Sequence, residues 1–334
     1  MGGNVNSGFV LKHDRFMGQL AQGLTRGFEL DFIKNTYGDK VWEQVFKYPD
    51  VGVSVCYFDY GSKYLGQSLG LIAYSDFYLL RTRRFESIFG IGAGFGFHNK
   101  PYNRETNNQN VAVGSPVTNS MQLRLGWNYR ITDRLKITTA LSITHFSLAA
   151  FVQPNKGLNA ITANAGLAYR ISNILPDFKP LDTNFDWDHS LKYNANFSYA
   201  LKEIPPIGGH KYPVYELQFY VNKQVSKTNI LNLGIDGFDN TALKAQLERT
   251  DMDPDDYPDY KRIGITVGHE LRLSRVALLT QLGIYVYRPY KVEKFIYQRY
   301  AIKYYLSDHV YLHYGFLSHY AKASNGELGI GICL

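Results

Sequence analysis

The chain has 334 residues, 45% of them hydrophobic, with 36 Lys and Arg against 29 Asp and Glu and a formal net charge of +7. Mean hydropathy is −0.25, and no apolar run is long enough for a transmembrane helix, so helical spanning is excluded while spanning by alternating strands is not. The basic balance favours an anionic partner, but the cations are scattered, and the densest cluster, Arg81-Thr82-Arg83-Arg84, reads as a solvated turn with no nucleic-acid motif beside it, which sets nucleic acid aside.

Tyr (27), Phe (20) and Gly (30) interleave with single polar residues, a texture that suits strands better than helices. In chain order the strand-like segments are 5–13, 25–34, 50–60, 65–81, 84–98, 118–131, 134–147 and 158–172. A polar, Pro-containing joint follows at 173–187, and then 188–202, 211–225, 228–238, 260–273, 275–288, 294–306, 308–320 and 325–333. That makes about sixteen, an even number as bacterial barrels require, or fourteen if two weak strands merge.

Turn lengths alternate. Thr132-Asp133-Arg134, Val225-Ser226-Lys227-Thr228, Leu273-Ser274-Arg275 and Leu306-Ser307-Asp308 are short and fall on one side. The long loops 99–117, 148–157, 203–210, 239–259, 289–293 and 321–324 fall on the other. The exceptions are 35–49, long on the short side, and the turn near Gly61-Ser62, short on the long side. Short periplasmic turns and long external loops are the habit of outer-membrane barrels. The expected fold is therefore all-β, an antiparallel transmembrane β-barrel of about sixteen strands in the outer membrane of a Gram-negative bacterium. A single barrel over 1–334 is expected, because no flexible linker interrupts 173–187. No secretory signal is visible after Met1-Gly2-Gly3, so an exported protein would have lost it. Cys56 and Cys333 are far apart and fit neither a metal spacing nor a redox pair.

Alternation separates the faces. In 134–147, Leu135, Ile137, Leu141 and Ile143 share one phase, and Lys136, Thr138, Ser142 and Thr144 the other. Apolar residues out and polar residues in is the barrel pattern. His145 and Ser147 continue the apolar phase, and Asn159 continues that of the next strand, so all three belong on the outer wall at the external-loop end. A base beside a hydroxyl is the minimum for a serine nucleophile.

The run His145-Phe146-Ser147, followed by Gln153-Pro154-Asn155-Lys156-Gly157-Leu158-Asn159, resembles the outer-membrane lipid A deacylases of the PagL type, most clearly across residues 25–172. Asn108 to Ser115, Gly166 to Arg170, and the ending Ser318 to Ala323 with Glu327 to Gly331 resemble the longer, acyloxyacyl-hydrolase-like branch. Residues 1–172 would then be the deacylase-like half and 188–334 the second half. The resemblance implies removal of an ester-linked acyl chain from lipid A of lipopolysaccharide in the outer leaflet. It makes Ser147 the nucleophile, His145 the general base and Asn155 an oxyanion donor. Two positions depart from the family: Leu148 stands where it has Asn, and Asn159 where the third triad member is Glu. An Asn still orients a histidine but offers its imidazolium no charge. Glu327 is a candidate substitute acid.

Such chemistry calls for no cofactor, and no metal site is expected. Lys100, Arg104, Lys156, Lys202 and Lys211 lie in or beside external loops, where they could meet lipid A phosphates. The glycines at 90, 92, 94 and 96 lie within a strand, where close approach of large side chains explains them better than a phosphate loop. The acidic stretch Asp251 to Asp256 lacks the Gly and closing Glu of a calcium loop. Two rival readings stand. One is an inactive relative serving as a structural or lipid-binding subunit among other outer-membrane proteins and lipids, favoured by Leu148 and Asn159. The other is a passive channel.

Overall fold

A computed structural model describes residues 1–13, 15–172, 177–183, 186–320 and 322–334. Parts of the expected joint, 173–176 and 184–185, and Ala321 of the last expected loop lie outside the described residues. The first eight strands are β1 (Gly2–Val10), β2 (Thr25–Lys34), β3 (Asp50–Asp59), β4 (Gln67–Arg81), β5 (Phe85–His98), β6 (Val117–Arg130), β7 (Leu135–Ser147) and β8 (Leu158–Tyr169). The remaining eight are β9 (Leu191–Glu203), β10 (Lys211–Gln224), β11 (Asn229–Asn240), β12 (Arg262–Leu273), β13 (Val276–Tyr287), β14 (Ile296–Tyr305), β15 (Val310–His319) and β16 (Lys322–Cys333). Sixteen all-antiparallel strands match the expectation, but they close differently.

They form two barrels of eight, not one of sixteen. β1 pairs with β8, from Gly2 opposite Ala168 to Val10 opposite Ala160. β9 pairs with both β10 and β16, Leu328 lying opposite Tyr199. The expectation of a single barrel is thus corrected. A strand count is the same for either closure, and what decides is how the interior is filled. Eight strands leave room only for packed side chains, and the inward residues here are bulky. Phe146, Phe58 and Tyr60 are buried in the first barrel, and Arg299, Tyr297 and Tyr311 in the second. The chain divides into one compact unit of Met1–Leu148 with Pro154–Leu181 and another of Ala149–Gln153 with Asp182–Leu334.

Both barrels are polar inside and apolar outside. Val5, Phe9, Phe28, Leu30, Phe32, Leu141 and Leu167 are exposed on the first, and Phe197, Leu217, Phe219, Leu233 and Ile265 on the second. Glu29, Gln122, Arg124, Thr144 and Asn164 are buried in the first, and Glu216, Asp236, Glu270 and Lys303 in the second. An apolar belt of this extent is a surface for lipid, not water.

Buried charges are paired. Arg124 donates to Glu29 at 2.5 Å and lies 3.6 Å from Asp31, and Lys303 donates to Glu270 at 2.7 Å. The strand glycines of β5 make room, as expected. A Cβ on Gly96 would stand 2.3 Å from the Phe146 ring, and one on Gly92 would stand 2.6 Å from Ile72.

Among the described residues the long connections carry three short α-helices that the strand pattern did not anticipate, α1 (Met17–Leu20), α2 (Val41–Val45) and α3 (Thr241–Leu247). Residues 322–324, expected in a loop, begin β16. At the long-loop end of the first barrel, Met17 and Leu20 of α1 join Phe58, Tyr60, Leu65, Ala112, Val113, Phe146, Leu158 and Ala160 in one apolar cluster. This plug is the floor on which the candidate site stands.

Candidate active site

His145 and Ser147 end β7, and the pleat turns both outward while Thr144 and Phe146 point in and are buried. In the β7–β8 register His145 lies opposite Asn159. Directly paired residues share a face and touch, and here His145 Nδ1 lies 2.7 Å from Asn159 Oδ1. The amide oxygen accepts only, so Nδ1 carries the hydrogen, and a neutral ring then keeps its lone pair on Nε2. That is the form a general base needs. Ser147 is met from the following loop, where Asn155 Nδ2 donates to its Oγ at 2.9 Å. In that contact the amide supplies the hydrogen and the serine oxygen accepts it. The four residues read from the sequence are thus brought together as two hydrogen-bonded pairs on one wall.

The loop holding Asn155 is fixed from below. Lys156 N donates to Val111 O and Gly157 N to Ala112 O, each at 3.0 Å. Asn110 sets those carbonyls: its Oδ1 accepts from Ala112 N (3.1 Å) and Val113 N (3.2 Å), and its Nδ2 donates to Lys100 O at 2.7 Å. Asn110 is buried, so its loss would free several backbone groups at once.

Phe146, between the two site residues, packs edge-on against His98 at 5.2 Å and Phe58 at 6.0 Å. His98 is in turn held by Ser68 (2.6 Å) and Thr118 (2.9 Å). The strand end is therefore anchored from inside the barrel while its outer face carries His145 and Ser147.

His13 was not anticipated. Its Nδ1 lies 3.3 Å from Asn159 Nδ2 and 3.2 Å from Leu11 O, and its Nε2 lies 3.1 Å from Lys156 O. The alternation had placed it at the end of the first strand, but that strand stops at Val10. Its partner is 146 positions away in sequence, and no local pattern signals such a contact.

Other expected contributors are occupied elsewhere. Glu327, the candidate substitute acid, is buried inside the second barrel, accepting from Arg299 Nε at 2.8 Å and lying 3.0 Å from His313 Nε2. Its carboxylate is spent on an internal guanidinium of its own barrel. Lys202 donates to Glu293 at 2.8 Å and to Ser324 at 2.9 Å, and Lys211 stands 3.9 Å from the Phe151 ring. Among the described residues no group of His, Cys, Asp and Glu is arranged to hold a metal ion.

Two family models match the chain. One, described as lipid A 3-O-deacylase (PagL), covers residues 26–168, and the other, described as the acyloxyacyl hydrolase C-terminal domain, covers residues 191–334. Each falls on one barrel. No curated protein matches. Among solved structures, a multiply substituted porin from Rh. blastica is 7% identical, covering 100% of this chain and 99% of its own at a TM-score of 0.19. A deletion mutant of the TodX monoaromatic hydrocarbon channel is 9% identical, covering 99% and 87% at a TM-score of 0.20. At such scores the likeness carries no argument.

Proposed function

Since the chain belongs to the lipid A 3-O-deacylase (PagL) family, with that family's acyloxyacyl hydrolase C-terminal domain as its second barrel, we propose that it hydrolyses an ester-linked acyl chain of lipid A in the outer leaflet of a Gram-negative outer membrane. The observation that carries this reading is the pair of hydrogen bonds on the lipid-facing wall, His145 to Asn159 and Asn155 to Ser147. A polar cluster there is costly unless it is satisfied and used.

In the proposed reaction Ser147 Oγ attacks the ester carbonyl carbon while His145 Nε2 takes its proton. The carbonyl oxygen becomes an oxyanion and Asn155 Nδ2, already beside Oγ, turns to donate to it. The tetrahedral species collapses, the C–O bond to the sugar breaks, and the sugar oxygen takes the proton from His145. Water then attacks the acyl-serine, giving its proton to His145, which returns it to Ser147 Oγ as the fatty acid leaves. Asn159 holds the imidazole throughout but carries no charge to stabilise imidazolium.

A second reading rests on that missing charge and on Leu148: a family member that binds lipid A without cleaving it. Conduction is disfavoured by two narrow interiors filled with paired side chains. Mass spectrometry of lipid A from cells expressing the chain, beside a Ser147→Ala control, separates the two readings. Loss of one acyl mass only with the parent supports hydrolysis; unchanged lipid A with both, the barrel being folded, supports binding alone.

A further inference from the structure

We propose that His13 is a positioning residue that sets the orientation of the Asn159 amide and, through it, the tautomer of His145; the inference deepens, and rests on, the reading of His145 as a base. The need arises because Asn159 is an amide. A carboxylate presents acceptors on both sides, so a histidine beside it always donates. An amide presents an oxygen on one side and a nitrogen on the other. With Oδ1 toward His145, Nδ1 donates and Nε2 keeps the lone pair that the proposed base needs. With Nδ2 toward His145, the hydrogen is forced onto Nε2 and the base is lost.

His13 decides between them. Lys156 O, 3.1 Å from His13 Nε2, only accepts, and the proposed tautomer places the ring hydrogen on Nε2 to donate to it. In the neutral ring Nδ1 is then an acceptor, and it meets Asn159 Nδ2 at 3.3 Å. The reversed amide would set oxygen against that lone pair. Leu11 O, 3.2 Å from the same nitrogen, accepts from it only when Nδ1 carries a hydrogen, and Asn159 then loses its acceptor. The working arrangement has His13 donating to Lys156 O and accepting from Asn159. The carbonyl it grips belongs to the residue after Asn155, so the same ring ties the loop of the oxyanion donor to the amide. His13 lies outside both matched spans.

The test uses the full chain in detergent or nanodiscs, with His13→Ala and His13→Gln made both in the native background and with Asn159→Asp. Deacylation of purified lipid A is followed, together with the ring nitrogens of His145 by selective 15N labelling and NMR. His13→Ala should lower kcat by ~10-fold, a part of the loss that a wrong tautomer causes in a triad, with KM little changed. It should also move His145 toward the Nε2–H form. His13→Gln, whose amide oxygen accepts, should restore most of both. With Asp at 159, which needs no orienting, His13→Ala should change kcat less than about 2-fold. Equal losses in both backgrounds would make His13 merely structural, and an unchanged His145 tautomer would overturn the proposal. If the parent cleaves no lipid A, the hydrolase reading fails while the NMR arm still decides the role of His13.

Discussion

Gly157 lies against the imidazole of His145: a Cβ built on it would stand 2.8 Å from His145 Cε1, and its φ is +80°. Both facts disfavour a side chain. The left-handed backbone costs about 1–2 kcal/mol for an L-residue, and the contact would push the ring off its hydrogen bond with Asn159. Gly157→Ala is therefore expected to cost more in activity than in stability. Deacylation should fall ~10²-fold, as expected for a displaced reacting group, while thermal unfolding shifts by only a few degrees. A calorimetric scan beside a lipid A assay checks the ratio; equal, small effects would mean that the ring is free to move.

Asn155→Ala removes the donor on Ser147 Oγ. If that amide serves the oxyanion, kcat falls by ~10²–10³ with KM little altered. Leu148, where the family has Asn, offers no second side-chain donor. An effect on KM alone, measured with micellar lipid A, would assign Asn155 to binding instead.

Much of this site was legible because a strand writes its faces with period two. Leu141, Ile143, His145 and Ser147 on one phase and Ser142, Thr144 and Phe146 on the other follow from alternation, and burial agrees with it residue by residue. What alternation cannot express is closure. Whether β1 meets β8 or β16 is a pairing between distant strands, and it depends on the bulk of inward side chains such as Phe146 and Arg299. Nor does it mark strand ends well: the first strand runs Gly2–Val10 where 5–13 was expected. That shift hid His13 in a strand when it belongs to a loop reaching Asn159. Asn110 was visible only as part of a family-like segment, since its task is to bind backbone. The short helices α1 to α3 span four to seven residues, too little for a periodic signal to rise above the strand pattern.

Phe146→Ala probes the floor beneath the chemistry. The ring is fully buried in the apolar plug, and its removal is expected to cost ~3–5 kcal/mol. Activity should fall further than the lost fraction of folded protein accounts for, because His145 and Ser147 flank it. Denaturant titration, with the assay run at a denaturant level where both proteins are folded, distinguishes a loosened site from a shortage of folded chains.

Glu293, in the loop between β13 and β14, predicts a pH dependence for the second barrel. Burial pushes its carboxyl up, but Lys202, Arg262 and His319 outweigh that and hold it well below the usual carboxylate range. Lys202 Nζ donates to it at 2.8 Å and Arg262 Nη1 at 2.5 Å. A depressed folded pKa contributes stability that is fully present above the unfolded value, about 4.3, and is lost as pH falls through the folded one. The thermal midpoint should therefore hold from neutrality to about pH 5 and decline below it. Glu293→Gln should lower the midpoint at pH 7 and flatten the acid decline. An unaltered slope would mean that other carboxylates control acid unfolding.

Arg299 is the most demanding residue of the second barrel. Its guanidinium donates to Glu327 (2.8 Å), Asp236 (2.6 Å) and Glu216 (2.8 Å), and all four side chains are buried. Three carboxylates about one cation leave an excess of negative charge that only the full set of contacts can hold. Tyr297 donates to Asp236 at 2.9 Å and Asn325 to Glu216 at 2.9 Å, spreading part of it. Removing the cation should cost at least ~3–5 kcal/mol, because the partners are left buried and unpaired. Arg299→Met is expected not to assemble, seen as loss of the heat-modifiable band on unboiled electrophoresis. Arg299→Lys keeps the charge but reaches fewer of the three acids from a single ammonium, so it should assemble with a lower midpoint. Arg299→Met combined with Glu216→Gln and Asp236→Asn removes the stranded charges and should recover assembly in part. If the single and triple variants fail alike, the guanidinium is needed for packing, and the charge argument falls.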